Sequence, residues 1–102
     1  MRHFLLYYTT AADYLERRPE FRSEHLRHAW AFQERGDLLL AGALADPPDG
    51  AVLLFQGETA AAAEEFANSD PYVANGLIDS WRVREWTTVI GDLAATPLRP
   101  SD

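Results

Sequence analysis

Arg2 to Tyr8, RHFLLYY, opens the chain with a dense run of β-formers and aromatic rings, and TTAAD ends it. That pattern predicts a first strand. Between Pro19 and Gly36, PEFRSEHLRHAWAFQERG, apolar positions recur at helical spacing. Proline stands at a first helical position, acids come early, Arg35 comes late and Gly36 supplies a stop, so these residues predict a helix. At about 100° per residue, Phe21, His25, Ala29 and Phe32 share one side with Leu26 at its edge, while Glu24, Arg27, Ala31 and Glu34 face away. His25 therefore points toward the core. His28 falls at the boundary of the stripe, partly exposed.

Two short apolar runs follow, DLLLAGAL at 37–44 and AVLLFQG at 51–57, separated by ADPPDG, whose Pro-Pro and Asp-Gly pairs turn the chain back. They predict a hairpin. Thr59 is placed to cap a second helix through AAAAEEFANS, and Ile78 to Ile90, IDSWRVREWTTVI, reads as a long last strand. The order β-α-β-β-α-β predicts an α+β ferredoxin-like sandwich, with both helices on one face of a four-stranded antiparallel sheet. Residues 1–90 form its single domain. Residues 91–102, DLAATPLRPSD preceded by Gly91, carry two prolines and little apolar periodicity, which predicts a loose C-terminal tail.

The strands lack the apolar/polar alternation of a sheet with one wet face. Phe4, Leu6 and Tyr8 oppose Leu5 and Tyr7 in the first strand, and Leu53 and Phe55 oppose Val52 and Leu54 in the third. A second apolar face of several hundred Å² is unusual on a soluble monomer, so a homodimer stacked sheet on sheet is expected.

Composition narrows the function. At 102 residues there is room for one core, and 47% apolar residues mark a folding chain rather than a disordered one. A net charge of -7 repels phosphate backbones and anionic lipid, which argues against nucleic-acid and membrane partners. With no lysine a Schiff base on the chain is impossible, and with no cysteine there is no disulfide, thiolate nucleophile or Cys-type metal site. The start MRHFLLYYTT lacks the h-region of a signal peptide, so a cytoplasmic protein is expected. His25 and His28 at i, i+3 are a thin start for a metal centre and no acidic cluster joins them; no metal and no cofactor is expected.

The chemistry concentrates in His25 and in Asp70 of NSDPYVANG. In a sandwich the two helices lie side by side over one sheet, which lets these side chains converge. A carboxylate that fixes an imidazole tautomer and stabilises the imidazolium makes a general base or acid. Two readings stay open at this point. In one the pair moves a proton for a substrate; in the other Asp70 is a helix cap with Pro71 after it, and His25 is a hydrogen-bonded core residue. The direction of the His25 pKa shift is also open, because burial and a neighbouring carboxylate act oppositely. Arg22, one turn before His25, is a candidate for binding a substrate anion. Arg82, sharing a strand face with Ser80, Arg84 and Trp86, is another, and Tyr72 is a candidate pocket wall.

RSEHL at 22–26, GDLLLAGAL at 36–44 and SDPYVANGLI at 69–78, in this order and spacing, resemble the YCII-related family of small dimeric α/β-barrel proteins. The resemblance covers residues 2–90. It implies a His-Asp dyad in a pocket, carried here by His25 of the His-Leu pair and Asp70 of the Asp-Pro-Tyr motif. One characterised branch of that family is a dehydrochlorinase of a chlorinated hydroxyquinol. The resemblance thus implies a small-molecule enzyme working by acid/base chemistry, of lyase or hydrolase-like type. Related dimeric barrels that oxidise or isomerise aromatic compounds without a cofactor, and a non-catalytic binding or structural dimer, are the alternatives. The chain departs from the family at Ala43, where proline is usual after the glycine, and at Glu85, which takes the proline position of an arginine-proline-aromatic ending.

Overall fold

The computed structural model describes residues 1–101. Strand β1 (Arg2–Thr10) is followed by helix α1 (Tyr14–Glu34), strands β2 (Leu38–Ala43) and β3 (Gly50–Gly57), helices α2 (Ala61–Ser69) and α3 (Pro71–Ala74), and strand β4 (Ile78–Trp86). The sheet runs β2-β3-β1-β4 with every pair antiparallel. This is the ferredoxin-like α+β arrangement expected from the strand pattern, with the one-turn α3 inserted before the last strand.

Register decides which side chains meet the helices. Phe4 opposes Phe55 and Leu6 opposes Leu53 across β1 and β3. These four pack with Phe32 of α1, Phe66 of α2 and Tyr72 of α3 in one buried cluster. Burying a large apolar side chain of this kind stabilises by roughly 1.5–3 kcal/mol. The largest side chains with essentially no exposure are Phe55, Phe66, Leu6, Leu77 and, alone among polar groups, Asp70. A carboxylate in such company has to be explained by its partners.

The other sheet face carries Leu5, Tyr7, Val52 and Leu54, all half-buried. Leu54 lies opposite both Leu5 and Leu40, and Leu40 is 72% exposed. The second apolar face foreseen from the missing alternation is therefore open in the single chain. Ala43 pairs with Ala51 at the end of β2, so the residue that replaces the family's usual proline extends the hairpin ladder.

Several boundaries differ from those expected; β1, for one, runs on through Thr9 and Thr10. Helix α1 begins at Tyr14, and Pro19 lies inside it. Proline forfeits one amide bond to the preceding turn, but the helix gains the core site of Tyr14, which is buried. At its other end the sequence signal is accurate: Gly36 has φ 88, its N–H donates to Gln33 O, and the Asp37 N–H donates to Phe32 O. Those two bonds are a Schellman ending. Strand β4 stops at Trp86 rather than Ile90, because Trp86 already pairs with His3 near the start of β1 and little strand remains beside it. Thr59 accepts from the Ala61 N–H at 3.2 Å, one position ahead of the residue that caps α2, Ala60.

Past β4 the chain bonds to itself: Thr96 N–H donates to Thr88 O and Leu98 N–H to Val89 O. His3 Nδ1 lies 2.6 Å from Thr88 Oγ1 and ties this segment to β1. Among the described residues no helix is long and apolar enough to cross a membrane.

Candidate active site

DPYVANG folds into one closed turn, α3, and each residue type explains a part of it. Asp70 has extended backbone at φ -70, ψ 125, and its Oδ1 accepts from the Tyr72 N–H at 3.0 Å, with Pro71 at the first helical position. Gly76, at φ 77, ends the turn: its N–H donates to Val73 O, and the Leu77 N–H donates to Tyr72 O. A positive φ at that point favours glycine. With both ends fixed, the Asp70 carboxylate and the Tyr72 ring are delivered into the core.

There Asp70 has no exposure and meets donors from three elements. The Tyr8 O–H of β1 donates to Oδ2 at 2.7 Å, the His25 Nδ1 of α1 lies 2.8 Å from Oδ1, and the Tyr72 amide completes the set. Hydrogen bonds of this number are what keep a buried carboxylate acceptable. An ionised carboxylate only accepts, so the proton of a neutral His25 sits on Nδ1 and the lone pair on Nε2. The imidazole lies flat on Tyr72, with ring centroids 3.8 Å apart and planes 2° from parallel. Asp70 and Tyr72 thus fix both the tautomer and the plane of the ring.

His25 borders a cavity of about 360 Å³ between α1 and the sheet, also lined by Tyr8, Tyr14, Arg18, Arg22 and Tyr72. That volume suits a small organic molecule. Of the residues singled out in the sequence, the structure brings His25, Tyr72 and Arg22 to the wall of this space, with Asp70 buried behind His25. Arg82 is not among them. It lies opposite Tyr7, on the face away from the helices, with its guanidinium 4.8 Å from the Tyr7 ring centroid. Strand alternation puts it on the wrong side of the sheet to reach the cavity of its own chain. His28 is used otherwise: its Nε2 lies 3.0 Å from the Phe66 carbonyl oxygen, joining α1 to α2.

Tyr8 was not singled out, although its place beside Phe4 and Leu6 marks it as a buried phenol in need of an acceptor. Burial first, then the charge of Asp70 and the hydrogen bond to it, push the Tyr8 pKa far up. At neutral pH its hydroxyl is the donor to Asp70. A folded-state pKa above the unfolded one stabilises fully below about pH 10 and is lost as pH rises beyond it, at up to about 1.4 kcal/mol per pH unit. Urea midpoints should accordingly fall above that pH, and Tyr8→Phe should flatten the fall. An equally steep alkaline limb in the variant would show that Tyr8 is not its source.

The element order and the antiparallel β2-β3-β1-β4 sheet define a ferredoxin-like α+β module. The YCII-related domain model matches residues 1–87, and the chain belongs to that family. Protein YciI of Escherichia coli O6:H1 is 30% identical over 95 residues, covering 84% of this chain and 97% of that protein, and the Shigella flexneri protein matches equally. Among solved structures, the 5-chloro-2-hydroxyhydroquinone dehydrochlorinase of Burkholderia phenoliruptrix AC1100, in complex with 2,5-dihydroxybenzoquinone, superposes with a TM-score of 0.70. It is 19% identical, over 84% of this chain and 94% of its own. A NIPSNAP family protein of Agrobacterium tumefaciens gives 0.57 at 14% identity, over 92% and 96% of the two chains. At those identities the structural likenesses speak for the fold.

Proposed function

We propose that this chain is a small-molecule enzyme in which His25 transfers a proton and Asp70 orients and charges it. The observation that carries this reading is the pair itself: a fully buried carboxylate 2.8 Å from an imidazole that borders a cavity. As a base, Nε2 takes a proton from a substrate hydroxyl or activated carbon, and Asp70 stabilises the imidazolium that results. As an acid, the same atom returns the proton to a leaving or enolic oxygen. Among lyase and hydrolase-like steps, elimination of hydrogen chloride from a chlorinated hydroxyquinol is the most concrete, being the reaction in the name of a structural neighbour. It balances as H⁺ to His25 and Cl⁻ to solvent, the ring becoming a quinone with no external oxidant. The apolar side chains of the cavity, Leu26, Ala29, Trp30 and Leu53 among them, offer a wall for such a ring.

The test is to supply 5-chloro-2-hydroxyhydroquinone and follow chloride release and oxygen uptake together. Saturable chloride release without oxygen uptake, lost in His25→Asn, supports the reading. Oxygen uptake that survives the substitution would favour instead the oxidising chemistry of related barrels.

The working unit in this reading is a homodimer, with a second copy on the open sheet face around Leu5, Leu40 and Leu54. Sedimentation at micromolar concentration should give twice the chain mass, and Leu54→Arg should return the single-chain mass with unchanged far-UV circular dichroism. A native protein that sediments as one chain would remove the dimer from the account.

A further inference from the structure

Helix α1 places Tyr14, Arg18 and Arg22 at four-residue intervals along the wall of the cavity, one turn ahead of His25. Neither Arg18 nor Arg22 is ion-paired among the described residues, whereas Arg2, Arg17 and Arg35 each meet a carboxylate. The cavity lining contains no aspartate or glutamate, although the chain carries sixteen. On a protein of net charge -7, the Arg18–Arg22 end of this space holds two cations with no carboxylate in the lining to pair them, the Asp70 carboxylate lying behind Tyr8 and His25.

A second observation points to the same end of the cavity. The Tyr72 hydroxyl is buried, its proton meets no acceptor among the described residues, and Tyr72 is only 3% exposed. Buried hydroxyls without partners are rare and mark a place where something else supplies the acceptor. Arg22 and Arg18 are close enough to pull the Tyr72 pKa down, against the larger upward push of burial and the neighbouring Tyr14. The hydroxyl and the two guanidinium groups are thus neighbours: the guanidiniums can only donate, toward the phenol oxygen or a ligand, and the hydroxyl's own proton is left without an acceptor. The remainder of the lining is largely apolar, including Leu26, Ala29, Trp30 and Leu53.

We infer that Arg18, Arg22 and the Tyr72 hydroxyl form an anion-binding end of the cavity, and that its ligand is a small aromatic compound bearing an ionised oxygen. The inference rests on the cavity being the substrate site, and it names the substrate class. The ring lies against the apolar wall, the anionic oxygen is held by the three donors, and the reacting position is presented to His25 Nε2. Guanidinium groups suit this task because they are always charged and offer paired N–H donors to a carboxylate or phenolate.

Benzoate and benzamide, alike in shape and different in charge, are the probes, titrated calorimetrically into the native protein. Benzoate should bind about ten- to hundredfold more tightly, the range given by charge-assisted hydrogen bonds. Arg18→Gln with Arg22→Gln should abolish the preference. Tyr72→Phe should weaken benzoate binding while leaving the melting temperature level or higher, since the hydroxyl proton has no buried acceptor to lose. Equal affinities, binding of neither probe at millimolar concentration, or a preference that survives the double substitution would overturn the inference. His25→Asn should retain the benzoate preference whatever happens to turnover, so the anion site and the proton-transfer role fail separately.

Discussion

Asp70→Ala should lower the free energy of unfolding by about 3–5 kcal/mol, since three donors lose their buried acceptor at about 1–3 kcal/mol each. The carboxylate is the common acceptor of the Tyr8 hydroxyl, the His25 ring and the Tyr72 amide. Alanine leaves all three donors facing a small void, and each loses an interaction that water cannot replace in the core. A domain of this size is stable by only about 5–15 kcal/mol in total, so the variant should unfold at markedly lower urea concentration. Asp70→Asn should cost less: its amide oxygen can still accept from His25 and Tyr72, and the Tyr8 hydroxyl can turn to accept from the amide nitrogen. Equal urea midpoints for the alanine variant and the native protein would mean that the network contributes nothing.

His25→Asn should lower kcat by about 10²- to 10⁴-fold, the usual contribution of a positioned acid or base. On the barrier that is about 3–5 kcal/mol. Asparagine keeps an N–H for Asp70 but has no group that can take up and release a proton near neutral pH. KM should change less, because the apolar wall and the other α1 side chains remain. Stability should change by about 1 kcal/mol, the worth of one altered hydrogen bond. A purely structural tie would show the reverse balance, with turnover kept and melting lowered.

Much of the fold was legible because strands and turns are written locally. RHFLLYY, the ADPPDG reversal and Gly36 each carry their own conformational reason, and together they determine the order of elements. His25 was legible from its place in the helical stripe and Asp70 from its junction, and ferredoxin-like packing brings the two helices side by side. Capping α3 and holding His25 do not compete, since Oδ1 accepts from the Tyr72 amide and lies 2.8 Å from His25 Nδ1; whether the pair moves a proton for a substrate is what turnover has to decide.

What escaped the sequence depends on contacts far along the chain. Pro19 imitates a helix start, and only the core site waiting for Tyr14 shows that the helix begins earlier; with that start went Tyr14 and Arg18 as cavity residues. The end of β4 is governed by the length of β1, which the β4 residues cannot register. Alternation groups Arg82 with Ser80, Arg84 and Trp86, but which face they occupy follows from the pairing of Arg82 with Tyr7. Tyr8 looks like one more aromatic of a strand until an acceptor 62 positions away is seen beside its hydroxyl.

The central claim is that a proton passes through His25, and its most direct measurement is chloride release from 5-chloro-2-hydroxyhydroquinone by native protein and by His25→Asn, each confirmed folded at the assay temperature by circular dichroism. The account predicts release by the native protein and a loss of at least about a hundredfold in the folded variant. Release at the native rate from folded His25→Asn would contradict it.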